Sequence, residues 1–128
     1  MSFIAPQQVI TPASSWTVTD YITRSARSSA AAAGVCQVQL PELDQNQLWL
    51  ITHAVVSCTS STPTTVRWYA GSVLDLNLLD GSGSGNFDIA DWPNGLQLQP
   101  TTSLIVQWTG ASAGAIGTVT LQARTLRR

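Results

Sequence analysis

The 128-residue chain contains no lysine, and Asp, Glu, Lys and Arg together make up only 10% of it. An ordinary soluble domain carries about 25% charge, with Lys among its commonest residues. All six basic residues are Arg, seven residues are acidic, and the formal net charge is −1. A chain so balanced has no basic field to hold a nucleic-acid backbone, so no nucleic-acid partner is expected. No run of about 18 apolar residues occurs either, so no membrane-crossing segment is expected. Met1 to Pro6 lack a positive stretch followed by an apolar one, and no secretory signal is expected there.

Chemistry-bearing residues are just as sparse. The one histidine, His53, sits inside an apolar run, and no Ser-His-Asp or Cys-His arrangement can be specified around it. It reads as a core or interface residue. The carboxylates (Asp20, Glu42, Asp44, Asp75, Asp80, Asp88 and Asp91) are scattered or lie in loops, with no opposed pair for glycoside hydrolysis. Cys36 and Cys58 could pair, but without a secretory signal they read as two small buried hydrophobes. The expectation is a protein that is not an enzyme and has no cofactor.

What the chain has is apolar bulk and alternation. Hydrophobic residues make up 44% of it, including five Trp, enough for one domain with a real core. Residues 1–15, with Pro6 and Pro12, read as an extended arm, and residues 16–128 as a single β-sandwich domain. Beyond the arm, period-two patterning marks half-buried strands. Cys36, Val38 and Leu40 oppose Gln37 and Gln39, while Leu48 to Cys58 is apolar on both sides and reads as a central strand covered on both faces. Further runs place Val66 with Trp68, Leu74 with Leu76 and Leu78, Leu96 with Leu98, Leu104 with Val106 and Trp108, and Val119 with Leu121 and Ala123. Gly and Pro clusters separate them. About eight short strands so spaced predict an all-β antiparallel sandwich or jelly roll. Asp20 to Ala33 is ambiguous: Thr19 and Gly34 suit the two ends of a helix, but the Ser-rich and β-branched content favours an extended chain.

Two features invite a ligand. In Asp80 to Asp91, oxygen-bearing side chains fall at positions one, three, five, nine and twelve with Gly at six, the spacing of a calcium loop. Neutral Ser at positions three and five, a short final Asp and flanking strands argue instead for a flexible Gly/Ser connection whose Asp residues cap turns. The same Gly-Ser-Gly-Ser-Gly run lacks the Lys or helix start that a phosphate cradle uses. Among the aromatics, Trp68 and Trp108 fall in phase with apolar neighbours and belong to a core, with Trp49 less certain. Trp92, in the turn-like Asp91-Trp92-Pro93-Asn94-Gly95, is the best single anchor for a partner or ligand.

One resemblance gathers these features. The succession Leu79-Asp80-Gly81, Gly85-Asn86-Phe87-Asp88-Ile89-Ala90-Asp91, Leu96-Gln97-Leu98-Gln99-Pro100 and Leu104 to Ala115 resembles small virion structural proteins of tailed bacteriophages, in particular those with GC-rich actinobacterial hosts. The likeness runs over residues 48–123 and leaves the first 47 uncovered; its most specific part is the turn Trp108-Thr109-Gly110-Ala111. A GC-rich genome also accounts for the missing Lys, whose codons are AT-rich. The resemblance implies a virion protein, either a capsid decoration or minor capsid subunit or else a minor tail or receptor- or carbohydrate-binding protein. Its implied partners are further copies of itself and the major capsid or tail proteins. The contacts expected to serve them are Phe3, Ile4, Val9 and Ile10 of the arm, Trp92, and Arg24, Arg27, Arg127 and Arg128, with Arg suited to interfaces.

Overall fold

Alternating side chains can bury one face of a strand only if two such faces meet, and here two sheets do so. The computed structural model describes residues 16–128; the arm with Phe3, Ile4, Val9 and Ile10 lies outside the described residues. Eight strands follow one another: β1 (Thr17–Arg27), β2 (Val35–Gln39), β3 (Gln47–Cys58), β4 (Thr65–Ala70), β5 (Leu78–Ser82), β6 (Phe87–Leu98), β7 (Leu104–Thr109) and β8 (Gly117–Arg127). One sheet has the order β1-β8-β3-β6 and the other β2-β7-β4-β5, and every pair is antiparallel. The molecule is an all-β sandwich.

The registers turn the sequence into rows across each sheet. On the inner face of the first sheet run Ala26, Val119, Val56 and Asp88; then Arg24, Leu121, Ala54 and Ala90; then Ile22, Ala123, Ile51 and Leu96. Facing them are Cys36, Trp108, Val66 and Ser82, and Val38, Val106, Trp68 and Asp80. The middle of each row is buried in one continuous core. Apolar residues therefore occupy the interior strands, and charged or polar ones take over at the edges. The outer face of the first sheet carries Ser25, Thr120, Val55 and Ile89 in one row and Thr23, Gln122, His53 and Asp91 in the next.

The extended reading of Asp20 to Ala33 holds, with no helix there: Thr17, Val18, Thr19, Ile22 and Thr23 favour extended backbone, and the chain turns at Ala33 (φ 55°) and Gly34 (φ 80°) into β2. Three expectations change. β3 is interior to its sheet, but its outer side chains Leu50, His53 and Val55 stay half-exposed, so it is covered on one face rather than two. Of the strand expected at Leu74–Leu78 only Leu78 is one, as the first residue of β5; the rest is a loop with a short 3₁₀ turn over Asp75–Asn77, and all three leucines are exposed. Lastly, strand structure invades the Asp80–Asp91 segment from both sides, leaving only residues 83–86 as a connection.

Candidate interaction site

Edge strands β5 and β6 belong to different sheets, and the Gly-Ser connection carries the chain from one to the other. That connection is docked, not loose. Asn86 donates to the carbonyls of Ser60 and Thr62, Thr64 Oγ1 donates to Asn86 Oδ1 at 2.6 Å, and the Gly85 N–H reaches the Thr64 carbonyl at 2.9 Å. The buried indole of Trp108 donates to the Gly85 carbonyl at 2.9 Å.

Between β5 and β6 the sandwich opens into a cleft of about 280 Å³, floored by Ala54, Val56, Val66 and Trp68. Trp92 closes part of it. Residues 92–95 bulge out of the β3–β6 ladder, with Gly95 at φ +87° packed against Leu50, and the bulge turns the indole inward. Its ring meets Trp68 edge to face at 5.3 Å between centroids, and its Nε1 donates to Asp80 Oδ2 at 2.7 Å. Trp92 is thus half-buried within its own subunit, where the sequence pointed to an open loop.

Each carboxylate of this flank has local work. Asp80 also accepts the Gly81 N–H at 2.7 Å, and Asp88 accepts the Ser82 hydroxyl and, at 2.8 Å, the Ile89 N–H. The Ser82 hydroxyl, and after it the Ile89 N–H, hold the Asp88 carboxyl below the usual carboxylate range. Asp91 Oδ1 lies 2.7 Å from His53 Nδ1 on the outer face of the sheet, so His53 is not a core residue. Among the described residues no hydroxyl or thiol is hydrogen-bonded to His53, and no three His, Cys, Asp or Glu side chains gather into a possible metal site. The Asp80–Asp91 oxygens are spread along two strands rather than wrapped around a point. Cys36 and Cys58 are buried as free thiols, and burial pushes the Cys58 thiol up.

The opposite flank is basic. Arg24 and Arg27 lie on edge strand β1, and Arg124 and Arg127 on β8 beside it, with Arg128 following. The Arg24 guanidinium stands 6.0 Å from the Trp49 ring centroid, and that of Arg128 stands 4.7 Å from Trp16. Arg128 also donates to the Gln45 carbonyl at 3.2 Å, and Arg127 lies 3.9 Å from Asp44. Of the four arginines expected as partner contacts, Arg127 and Arg128 thus reach the chain's own β2–β3 loop, while Arg24 and Arg27 lie on edge strand β1. What sequence reading missed is a net separation: Asp80, Asp88 and Asp91 gather on one flank, and on the other the five arginines outnumber Asp20, Glu42 and Asp44. Only the strand order reveals it, because Asp88 and Arg24 are 64 positions apart in a chain whose local charge looks mixed.

No protein-family model and no curated protein matches the sequence. Among solved structures, a chain of the acid-stable capsid of Helicobacter pylori bacteriophage KHP30 is 10% identical, with a TM-score of 0.55 over 85% of this chain and 90% of that one. That is a likeness of fold. PliG of Aeromonas hydrophila, a periplasmic inhibitor of g-type lysozyme, follows at 6% identity and a TM-score of 0.37, covering 81% of this chain and 85% of its own. A chain of the infectious bursal disease virus Gx strain, 14% identical, gives a TM-score of 0.31 over 86% of this chain and 40% of that one. Neither of these two scores bears on the fold.

Proposed function

We propose that this chain is a jelly-roll structural subunit of a bacteriophage particle, a capsid decoration or minor capsid protein that stabilises the particle through contacts between subunits and performs no catalysis. The observation that carries the reading is the kind of surface the fold presents. Large apolar side chains face solvent on a charge-poor molecule: Leu76 is 96% exposed, Tyr21 74%, Phe87 63%, Leu74 59% and Ile89 51%. Scattered singly they would need no explanation, but Val73, Leu74 and Leu76 crowd one loop with Leu78 at the start of β5 beside them, and Phe87, Ile89 and Val55 share one sheet face. Neutral Thr, Ser and Gln take most of the remaining places on that face, beside Arg27, Arg124 and the His53–Asp91 pair, so the charges to be stripped of water when it is covered are few.

Strand order supports the class of subunit. β1 pairs with β8, β2 with β7, β3 with β6 and β4 with β5, a nested pairing that winds one long antiparallel ribbon into two sheets. Eight strands in two Greek keys are the jelly roll that many capsid proteins use. The likeness to a chain of a bacteriophage capsid points the same way. Burying about 1,000 Å² of mainly apolar surface contributes up to about 25 kcal/mol before the entropic costs of association, so modest contacts repeated on a lattice are enough.

Quantitative mass spectrometry of purified particles from the phage that encodes the chain tests this reading. The expected result is a copy number in fixed ratio to the major capsid subunit, with cryo-electron microscopy density for a sandwich on the shell. Particles free of the chain would overturn it.

A further inference from the structure

The two flanks are complementary in charge, direction and length, and we infer that a second copy of this chain docks its β1/β2 flank onto the β6/β5 flank of the first, extending both sheets head to tail. The inference rests on reading the chain as an assembling subunit, and it names the partner and the contact. Direction is the first argument. Strands alternate along β1-β8-β3-β6 and along β2-β7-β4-β5, so the two edges of each four-stranded sheet run oppositely. Copies placed side by side in one orientation therefore bring β6 against β1 as an antiparallel pair, the arrangement the sheet already uses internally.

Charge is the second argument. Arg24 ends an inner row of the first sheet at β1, and Asp88 ends the neighbouring inner row at β6. With the rows level, Arg24 of one copy faces Ala90 of the next and lies diagonal to its Asp88, within reach of a long side chain. On the outer face the same alignment sets Ser25 against Ile89. Edge condition is the third. Natural edges are blunted by bulges and proline, and both devices are present here but displaced from the contact. β1 is irregular only between Val18 and Asp20, which leaves Tyr21–Arg27 regular, and Pro93 lies in the 92–95 bulge, which leaves Phe87–Asp91 with every backbone N–H. Two edge segments of seven and five residues remain for strand addition, in which the Tyr21 and Ile89 N–H groups, now held at 2.8 Å by the side chains of Asp20 and Asp88, exchange those acceptors for backbone carbonyls of the neighbour, while the Phe87 N–H stays with the Ser84 carbonyl. Because the two surfaces differ, the contact is head to tail, and it closes into a ring or continues as a row according to the rotation between copies.

Sedimentation velocity on the full chain tests the contact. The chain is expected to self-associate at about 0.05 M salt and to dissociate towards monomer at about 0.5 M, since exposed charge pairs are screened. The R24E/R27E and D88R/D91R variants should each associate at least about tenfold more weakly, and an equimolar mixture of the two should regain association because their flanks again match. Should a charge reversal unfold the sandwich, the S25C/I89C variant replaces it. Opposed residues in an antiparallel pair have Cα atoms about 4.5–5.5 Å apart, inside the range a disulfide spans, so oxidation should give a ladder of covalent multimers. A wild-type chain that stays monomeric at low salt, or an S25C/I89C chain that yields no ladder, overturns the contact. A monomer still found in particles would overturn this contact alone. An assembling chain absent from particles would overturn the structural role and leave the contact standing.

Discussion

Gly117 lies so close to the Trp108 ring that a Cβ built on it would come within 2.5 Å of a ring carbon. Trp108 cannot yield, because it is wholly buried and its indole is tied to the Gly85 carbonyl. Gly117→Ala therefore overpacks the centre of the sandwich and is expected to cost about 1–3 kcal/mol, read as a lower midpoint in chemical denaturation. An unchanged midpoint would mean that the sheets part more easily than this packing allows. Asp88 gives a second test. Its proton is bound less tightly in the folded chain than in the unfolded one, because Ser82 and the Ile89 N–H bond the ionised carboxylate. The stability this supplies is fully present above the ordinary carboxylate value and is lost as pH falls through the lowered one. Asp88→Asn still accepts from Ser82 but has nothing to titrate, so the melting temperature of this variant should fall less steeply with acid than that of the parent. Parallel acid limbs for the two proteins would count against the assignment.

The elements differ in how openly the sequence announces them. β2 and β8 alternate because one side of each is core and the other faces solvent, and β4 and β7 do so except at Tyr69 and Ile105, which are buried on the other side; all four are legible as written. Trp68 and Trp108 fall in phase with these runs and lie in the core. Where side chains serve something other than the core, the period misleads. Leu74 and Leu76 keep strand spacing with Leu78 yet occupy the loop before β5, since spacing cannot say whether an apolar face has a partner inside the subunit. β6 hides the opposite way: Asp88 and Trp92 lie on its inner side at an open edge, so its pattern looks like a ligand loop. The loop leucines supply a prediction at this scale. Leu76→Ser removes an apolar side chain that touches no core, so stability should change by no more than about 0.5 kcal/mol. Incorporation into particles, measured as copies per capsid, should drop if this loop meets a neighbour. A large loss of stability would instead place Leu76 in an internal contact.

At the scale of the whole molecule, the strand count could be read from the chain and the strand order could not. Nothing in the residues of β1 names β8 as its partner; the choice is made by closing two sheets around the aromatic core. The acidic and basic flanks follow from that choice, so they were illegible for the same reason. The nested order also governs how the chain folds. Thr17 pairs with Arg127 at the far end, and β2 must find β7 before either sheet has its final neighbours. Loop-closure entropy for such distant pairs is lost before their contacts form, and folds dominated by non-local pairing reach the native state in about milliseconds to seconds. The five tryptophans, with Trp68 and Trp108 in the core, make the event visible by stopped-flow fluorescence. Refolding should fall in that window for the full chain and equally for residues 16–128 alone, since among the described residues that span closes both sheets around one core. Microsecond refolding, or a shorter chain that fails to refold, would mean that the nested ribbon is not what sets the rate.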